Sequence, residues 1–181
     1  TALAVFNLAR QRLSRDPFFA HTRSVLSIHN LPFMGAGAER ALDEFGIRPV
    51  RDLRLPEWAR QFPLPLGLLA ADRIVAVSPT YAREILTPEF GCGLQDFLNS
   101  RSAIISGILN GLDQESWDPT RDGVLTSRFS VDSLELREDN KKALLAEFDL
   151  PYDPQIPLLI LISRMDQQKG IDLALKSLAE M

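Results

Sequence analysis

Two cations, Arg164 and Lys169, flank a turn between an apolar run and a helical pattern. The unbroken apolar run at 158–162 is typical of a strand buried on both faces, as in the parallel sheets of α/β proteins. Beyond Gly170, apolar residues recur at helical spacing, so the sequence predicts a helix from there to the last residue. The two cations would therefore lie where a strand meets the start of a helix.

A lysine beside a helix N-terminus opposes the helix macrodipole unless an anion lies between them, which indicates a phosphate site. Arg164 would make a forked contact and Lys169 a point-charge contact to phosphoryl oxygens, with the helix-start amides as further donors. The alternative is that both are solvated loop residues, because the sequence contains no Gly-rich phosphate loop to help them.

His29 and Asn30 directly follow residues 24–28, which the sequence predicts as a short buried strand. In open α/β folds, ligands bind at the carboxyl edge of the parallel sheet. His29 and Asn30 are therefore candidates to contact a polar substrate. The alternative for His29 is that it ends the strand and satisfies backbone groups.

Two further predicted strands, 73–77 and 103–109, are also followed directly by polar residues. Asn110 and Gly111 follow the second of them; Asn-Gly is a common hairpin signal, but no alternating strand returns, which favours a loop leaving the sheet edge. Ser78 follows the first and precedes a proline, so we interpret it as a helix N-cap. No nucleophile elbow surrounds it, which argues against a catalytic serine.

The composition is that of an ordinary globular protein, with 181 residues, 45% hydrophobic and 24% charged. A formal net charge of −4 and the lack of a Lys/Arg stripe argue against nucleic-acid binding. One cysteine and two histidines exclude an internal disulfide and leave little for a metal cluster. The apolar stretches are too short to span a bilayer and no signal-peptide pattern opens the chain, so we expect a soluble intracellular protein without membrane partners.

Helical patterns surround these strands. The opening residues form an apolar helical face that should stop at Asp16, because the residue before a proline is driven out of the α region. The chain starts without a Met or a visible cap, which suggests that it begins inside a domain. Further helices are predicted around 38–45, 55–60 and 64–71, after Ser78, around Phe97, and at 139–148 with Asp139 as its cap.

Five stretches, taken in order, carry a resemblance to a known family. They are Ser27-Ile-His-Asn30, Ala71-Asp-Arg73 with Val77-Ser-Pro-Thr-Tyr-Ala82, Thr87-Pro-Glu-Phe-Gly-Cys-Gly-Leu94, Gly107-Ile-Leu-Asn-Gly-Leu-Asp113 with Trp117-Asp-Pro119, and Ser163-Arg164 with Gln168-Lys-Gly170. Together they resemble bacterial glycogen synthases and plant starch synthases, the ADP-glucose-type retaining glucosyltransferases of the GT-B fold. That fold is α/β, with two Rossmann-like parallel-sheet domains, here only partly present.

The resemblance implies roles for particular residues. Arg164 and Lys169 look like the pair that holds the donor diphosphate and stabilises charge on the leaving nucleotide, an electrostatic catalysis that needs no metal or other cofactor. His29 looks like the histidine that contacts the donor glucosyl group, and Asn110 corresponds to an asparagine near the same sugar. The implied catalytic set is Arg164, Lys169 and His29, and the implied substrate-binding set is His29, Asn30, Asn110, Gly111, Arg164 and Lys169.

The resemblance also implies a domain organisation. Residues 1–117 would be the second half of an N-terminal, acceptor-side domain, 118–156 an interdomain linker and helix, and 157–181 the first βα unit of a C-terminal nucleotide-sugar-binding domain. The family's Lys-x-Gly-Gly-Leu loop and C-terminal acidic loop are missing from this sequence. We therefore expect exposed sheet edges, poor stability and no useful turnover from this segment alone.

The implied function is transfer of glucose from ADP-glucose to the non-reducing end of an α-1,4-glucan, in the bacterial cytoplasm or the plastid stroma. UDP-glucose is the alternative donor. Two other functions stay open: a non-catalytic protein of the same fold that binds a nucleotide sugar or a glucan, and a related GT-B glycosyltransferase with another donor or acceptor, such as a sucrose-forming enzyme.

Overall fold

The protein is described here by a computed structural model, which covers residues 2–13, 17–178 and 180. The chain divides into two compact units, Thr1–Gly111 and Leu112–Met181. The helices and strands are α1 (Ala2–Leu13), β1 (Val25–Ile28), α2 (Glu39–Glu44), α3 (Pro63–Ala70), β2 (Arg73–Ala76), α4 (Pro79–Glu84), α5 (Gln95–Ser100), β3 (Ile105–Gly107), α6 (Arg137–Glu147) and α7 (Ile171–Leu178). Short 3-10 turns lie at Glu57–Gln61, Ser102–Ile104, Val131–Leu136 and Gln167–Lys169. In the part of the chain so described, no helix has the length and apolar character needed to cross a membrane.

A three-stranded parallel sheet in the order β1-β2-β3 is the centre of the first unit. Ile28 is paired with Ala76, and Ala76 with Gly107, so all three strands end in one row. Helices connect the strands because a parallel pair needs a long crossover. The predicted parallel sheet is confirmed, and its carboxyl edge carries the residues that follow all three strands.

The strands are buried on one face rather than two. Leu26 and Ile28 are buried in the hydrophobic core, whereas Val25, the first residue of β1, is 62% exposed. Successive side chains point to opposite faces of a strand, and the core of the described first unit gathers on the face of Leu26 and Ile28. The first strand is thus where the sequence predicts it, but its predicted burial is only half realised.

Two predicted elements are shorter or tighter than expected. Residues around 55–60 form a 3-10 turn, Glu57–Gln61, because Phe62 precedes Pro63 and takes an extended conformation that separates the turn from α3. The third strand keeps only Ile105–Gly107, since Ser102–Ile104 forms a 3-10 turn before it. In the described chain no strand returns after Asn110, which confirms the loop exit over the hairpin.

In the second unit, α6 begins earlier than predicted and has a different cap. Ser130 and Ser133 form a reciprocal capping box at the start of Val131–Leu136, and the chain continues from that turn directly into α6. Asp139 was expected to cap this helix, which is wrong. Its carboxylate instead lies in the first turn of α6 and accepts a hydrogen bond from the Ser127 hydroxyl at 3.1 Å.

The strand predicted at 158–162 is not formed. This segment has no regular secondary structure and no strand partner in the described residues, and Leu159 and Ile162 are 68% and 92% exposed. A strand is defined by hydrogen bonds to a neighbour, and the described part of the second unit contains no other strand to supply them. The helix predicted from Gly170 to the last residue is confirmed as α7 over Ile171–Leu178, and residues 179 and 181 lie outside the described residues.

Candidate functional site

His29 and Asn30 lie at the carboxyl edge of the sheet, immediately after β1. The His29 ring is exposed, and its Nε2 is 3.3 Å from the Ser27 hydroxyl, which lies on the same exposed face. Asn30 is half-buried, and its carbonyl accepts a hydrogen bond from the N–H of Phe33 in a tight turn. The local fold therefore presents the imidazole outward at this edge.

Asn110 and Gly111 leave the same edge beyond β3. Both are exposed, and they follow Gly107, the last residue of that strand, by three and four positions. With β2 between them, the ends of β1 and β3 are separated by two strand spacings, roughly 10 Å.

The start of α4 lies between these two strand ends. The Ser78 hydroxyl accepts a hydrogen bond from the N–H of Tyr81 at 2.8 Å, which confirms that Ser78 is the N-cap. The Tyr81 hydroxyl in turn accepts a hydrogen bond from the N–H of Leu31 at 2.9 Å. Sequence reasoning missed this contact, because no local signal relates two residues that are 50 positions apart.

Arg164 and Lys169 lie in the second unit, before α7. Both side chains are exposed, and within residues 2–13, 17–178 and 180 neither takes part in an ion pair. Lys169 closes a 3-10 turn, and Gly170 follows with a φ of 65°, a left-handed conformation that glycine adopts without strain. This glycine lets the chain change direction from the turn into α7.

Asp166 is a second residue that the sequence reasoning did not use. Its carboxylate caps the turn by accepting a hydrogen bond from the N–H of Gln168 at 3.0 Å. Asp at an N-cap is a recognised helix-start signal, so this role was readable from the sequence. Asp172 in the first turn of α7 also compensates part of the helix dipole. The charge around the two cations is therefore more balanced than their types alone suggest.

Across the described ranges, no group of three or more His, Cys, Asp or Glu side chains is arranged to hold a metal ion. Cys92 is exposed in the loop before α5, and partial burial of its sulfur raises the pKa of the thiol. A raised pKa keeps this cysteine protonated near neutral pH, which is unlike a nucleophilic cysteine.

Comparison with known proteins places the chain in a family. Residues 1–100 match the family model for the starch synthase catalytic domain. The chain is 42% identical over 160 residues to a glycogen synthase of Aromatoleum aromaticum, which covers 87% of this chain and 32% of that protein. It is 40% identical over 183 residues to a glycogen synthase of Anaeromyxobacter sp., covering 100% of this chain and 38% of that protein.

A solved structure is similar over almost the whole chain. It is the catalytic domain of starch synthase IV from Arabidopsis thaliana bound to ADP and acarbose, with a TM-score of 0.67 and 25% sequence identity over 95% of this chain and 42% of that one. The similarity confirms the predicted α/β fold of GT-B type. The chain spans about a third of the length of the curated relatives it matches. On the family match and these identities, the chain belongs to the glycogen and starch synthase family.

Proposed function

We propose that this chain is part of a retaining glucosyltransferase that moves glucose from ADP-glucose to the non-reducing end of an α-1,4-glucan. The observation that carries the proposal is the similarity of 95% of the chain to a starch synthase catalytic domain described as bound to ADP and acarbose. ADP is the product that such a donor would leave, and acarbose is a glucan-like oligosaccharide. The two ligands match the two substrates of the proposed reaction.

Arg164 and Lys169 would bind the diphosphate of the donor. Their exposure and freedom from ion pairs among the described residues leave both charges available to a ligand. Asp166 has its carboxylate engaged with the backbone of the turn, which leaves the cations as the groups suited to an anion. Positive charge aimed at the departing diphosphate stabilises the transition state more than the ground state, because negative charge grows there as the bond breaks.

The residues at the sheet edge of the first unit would bind the sugar. His29 projects an exposed imidazole next to the Ser27 hydroxyl, and Asn30, Asn110 and Gly111 offer amide and backbone groups from the same edge. Hydroxyl-rich ligands are recognised by such convergent donors and acceptors. His29 would contact the glucosyl group, and the other three residues would fix its orientation.

The proposed step is a front-face displacement at the anomeric carbon. The acceptor hydroxyl oxygen forms the new glycosidic bond as the bond between the anomeric carbon and the β-phosphate oxygen breaks. The acceptor proton passes to an oxygen of the departing diphosphate, so the products are ADP and a glucan longer by one glucose. The charges of the chain's own cations serve this step, which requires no metal ion and no further cofactor.

Kinetics of the full-length protein test this proposal. With ADP-glucose and glycogen, we expect Arg164→Ala and Lys169→Ala each to lower kcat by about 10²–10³-fold, the usual effect of removing one electrostatic contact to the transition state. Lys176→Ala, on the exposed side of the same segment in α7, is the matched control and should leave kcat unchanged. His29→Ala should lower kcat in the same assay, because a contact to the transferred glucosyl group is lost.

The outcomes separate the proposal from its alternatives. Unchanged transfer in Arg164→Ala and Lys169→Ala would overturn the assignment of the turn. Protection of the full-length protein by ADP-glucose without any turnover would favour a non-catalytic binding protein. Transfer to a small sugar acceptor, but not to a glucan, would favour a related glycosyltransferase.

A further inference from the structure

The N–H of Leu31, three residues after the end of β1, is hydrogen-bonded to a side chain of α4. At Ile28 the ladder with β2 ends, so His29, Asn30 and Leu31 no longer have a neighbouring strand to hold them. Leu31 is completely buried, and its N–H donates to the Tyr81 hydroxyl at 2.9 Å. A buried backbone N–H needs such a partner, because leaving it unsatisfied costs free energy.

Tyr81 is itself held firmly on α4. Its backbone N–H donates to the capping Ser78 hydroxyl, and its side chain packs against the core of the first unit. The helix α4 therefore holds the Tyr81 side chain in place beside the core of the first unit. The phenolic oxygen accepts the hydrogen bond of the Leu31 N–H, two residues after His29 and one after Asn30.

The same helix start contacts the third strand. An added Cβ at Gly107 would lie 2.1 Å from the Ser78 carbonyl oxygen, so β3 and the start of α4 are in close backbone contact. The N–H of Ile108 also donates to the Ala76 carbonyl at 2.9 Å. The start of α4 thus contacts both the segment after β1 and the end of β3, the two strands that the proposed sugar-contacting residues follow.

We infer that Tyr81 is a positioning residue for sugar transfer, acting through the loop that carries His29 and Asn30. The inference rests on the proposed function, because positioning matters only if those residues contact the transferred sugar. Tyr81 need not touch the substrate. Its hydroxyl accepts a hydrogen bond from the N–H of Leu31, and this contact sets the position and orientation of the His29 imidazole.

The test compares Tyr81→Phe with the parent in the full-length protein. The variant keeps the ring in the core and removes only the hydroxyl. We expect the Leu31 amide to exchange with deuterium about 5- to 10-fold faster, as for the loss of a hydrogen bond worth about 1 kcal/mol, while the Ile74 and Val75 amides in β2 keep their rates. We also expect kcat to fall about tenfold with the KM for ADP-glucose changing less than twofold.

Tyr152→Phe is the matched control, since Tyr152 is the second of the chain's two tyrosines and its hydroxyl donates to Glu138 at 2.6 Å in the other unit. It should change neither kcat nor Leu31 exchange. A double-variant cycle with His29→Ala separates positioning from general destabilisation. If Tyr81 acts through His29, adding Tyr81→Phe to His29→Ala should cost less than twofold in kcat.

Several results would overturn the inference. They are unchanged Leu31 exchange in Tyr81→Phe, unchanged kcat, or fully additive losses in the double variant. A parent protein that does not transfer glucose would instead refute the proposed function. The exchange measurement would still report whether the Tyr81 hydroxyl holds the loop, so the two failures are distinguishable.

Discussion

The carboxylate of Asp72 accepts hydrogen bonds from both the backbone N–H and the hydroxyl of Ser24, at 2.7 and 2.9 Å. The Ser24 carbonyl accepts in return from the N–H groups of Asp72 and Arg73. These contacts join β1 and β2 one residue before their ladder begins, at the amino end of the sheet. They set the register that brings Ile28 and Ala76 level at the opposite, carboxyl edge.

We expect Asp72→Ala to lower the free energy of unfolding by about 1–3 kcal/mol, because Ser24 is buried and its N–H would lose a charged acceptor. Chemical denaturation of the protein measures this change. Asp43→Asn, at an exposed position of α2, is the control and should change stability by less than about 0.5 kcal/mol. Equal stabilities of the parent and Asp72→Ala would show that the contacts do not support the strand pair.

The close approach of Gly107 to α4 makes this glycine sensitive to any side chain. A methyl group would lie 2.1 Å from the Ser78 carbonyl oxygen and 2.4 Å from the Pro79 nitrogen, both of them backbone atoms. We expect Gly107→Ala to destabilise the protein by about 1–3 kcal/mol, since backbone must move to accept it. Gly123→Ala, where an added Cβ has no heavy atom within 4 Å, is the matched control in thermal unfolding. Similar melting temperatures for both variants would contradict the close packing.

Asp52 gives the protein a pH-dependent contribution to stability. The Arg54 side chain donates to both of its carboxylate oxygens, and this, together with the Arg54 N–H, lowers the pKa of Asp52 from 3.8 to about 2. A pKa lowered on folding stabilises the fold above the unfolded value, and the contribution is lost as pH falls through the folded value. The Arg54 side chain is 56% exposed, so solvent screening limits the contribution to about 0.5–1 kcal/mol.

Denaturation of Asp52→Asn between pH 7 and pH 2 tests this contribution. We expect the variant to be less stable than the parent at pH 7 and the difference to shrink between about pH 4 and pH 2. Glu89→Gln, at an exposed position of the loop after α4, should not show this pH-dependent difference. A constant difference across the range would exclude titration of Asp52 as the cause.

The apolar segment 158–162 forms an exposed hydrophobic surface on the second unit. With α7 it lines an apolar groove of about 430 Å³, and Ile162 is 92% exposed. Exposed apolar patches favour association. We expect the 181-residue chain to self-associate with rising concentration, and Ile162→Asp to reduce this in light scattering. Val124→Asp is the control, because Val124 is 93% exposed but lies outside this segment, and an equal effect there would attribute the association to net charge alone.

The sequence by itself determined the parallel α/β sheet, most helices, the Ser78 cap and the family. These features rest on local periodicity, proline positions and short motifs, all of which are legible along the chain. The sequence alone could not predict the Tyr81 contact with Leu31 or the close approach of Gly107 to Ser78, because both contacts join residues that are distant in sequence.

The tertiary structure alone also decided the state of residues 158–162. Their composition is that of a buried strand, yet a strand exists only where a neighbour supplies hydrogen bonds, and the described second unit supplies none. Similarly, the helix predicted to start at Asp139 starts at Arg137, because it continues directly from the 3-10 turn that Ser130 caps. Local pattern fixes what a segment is able to form, and its partners in space fix what it does form.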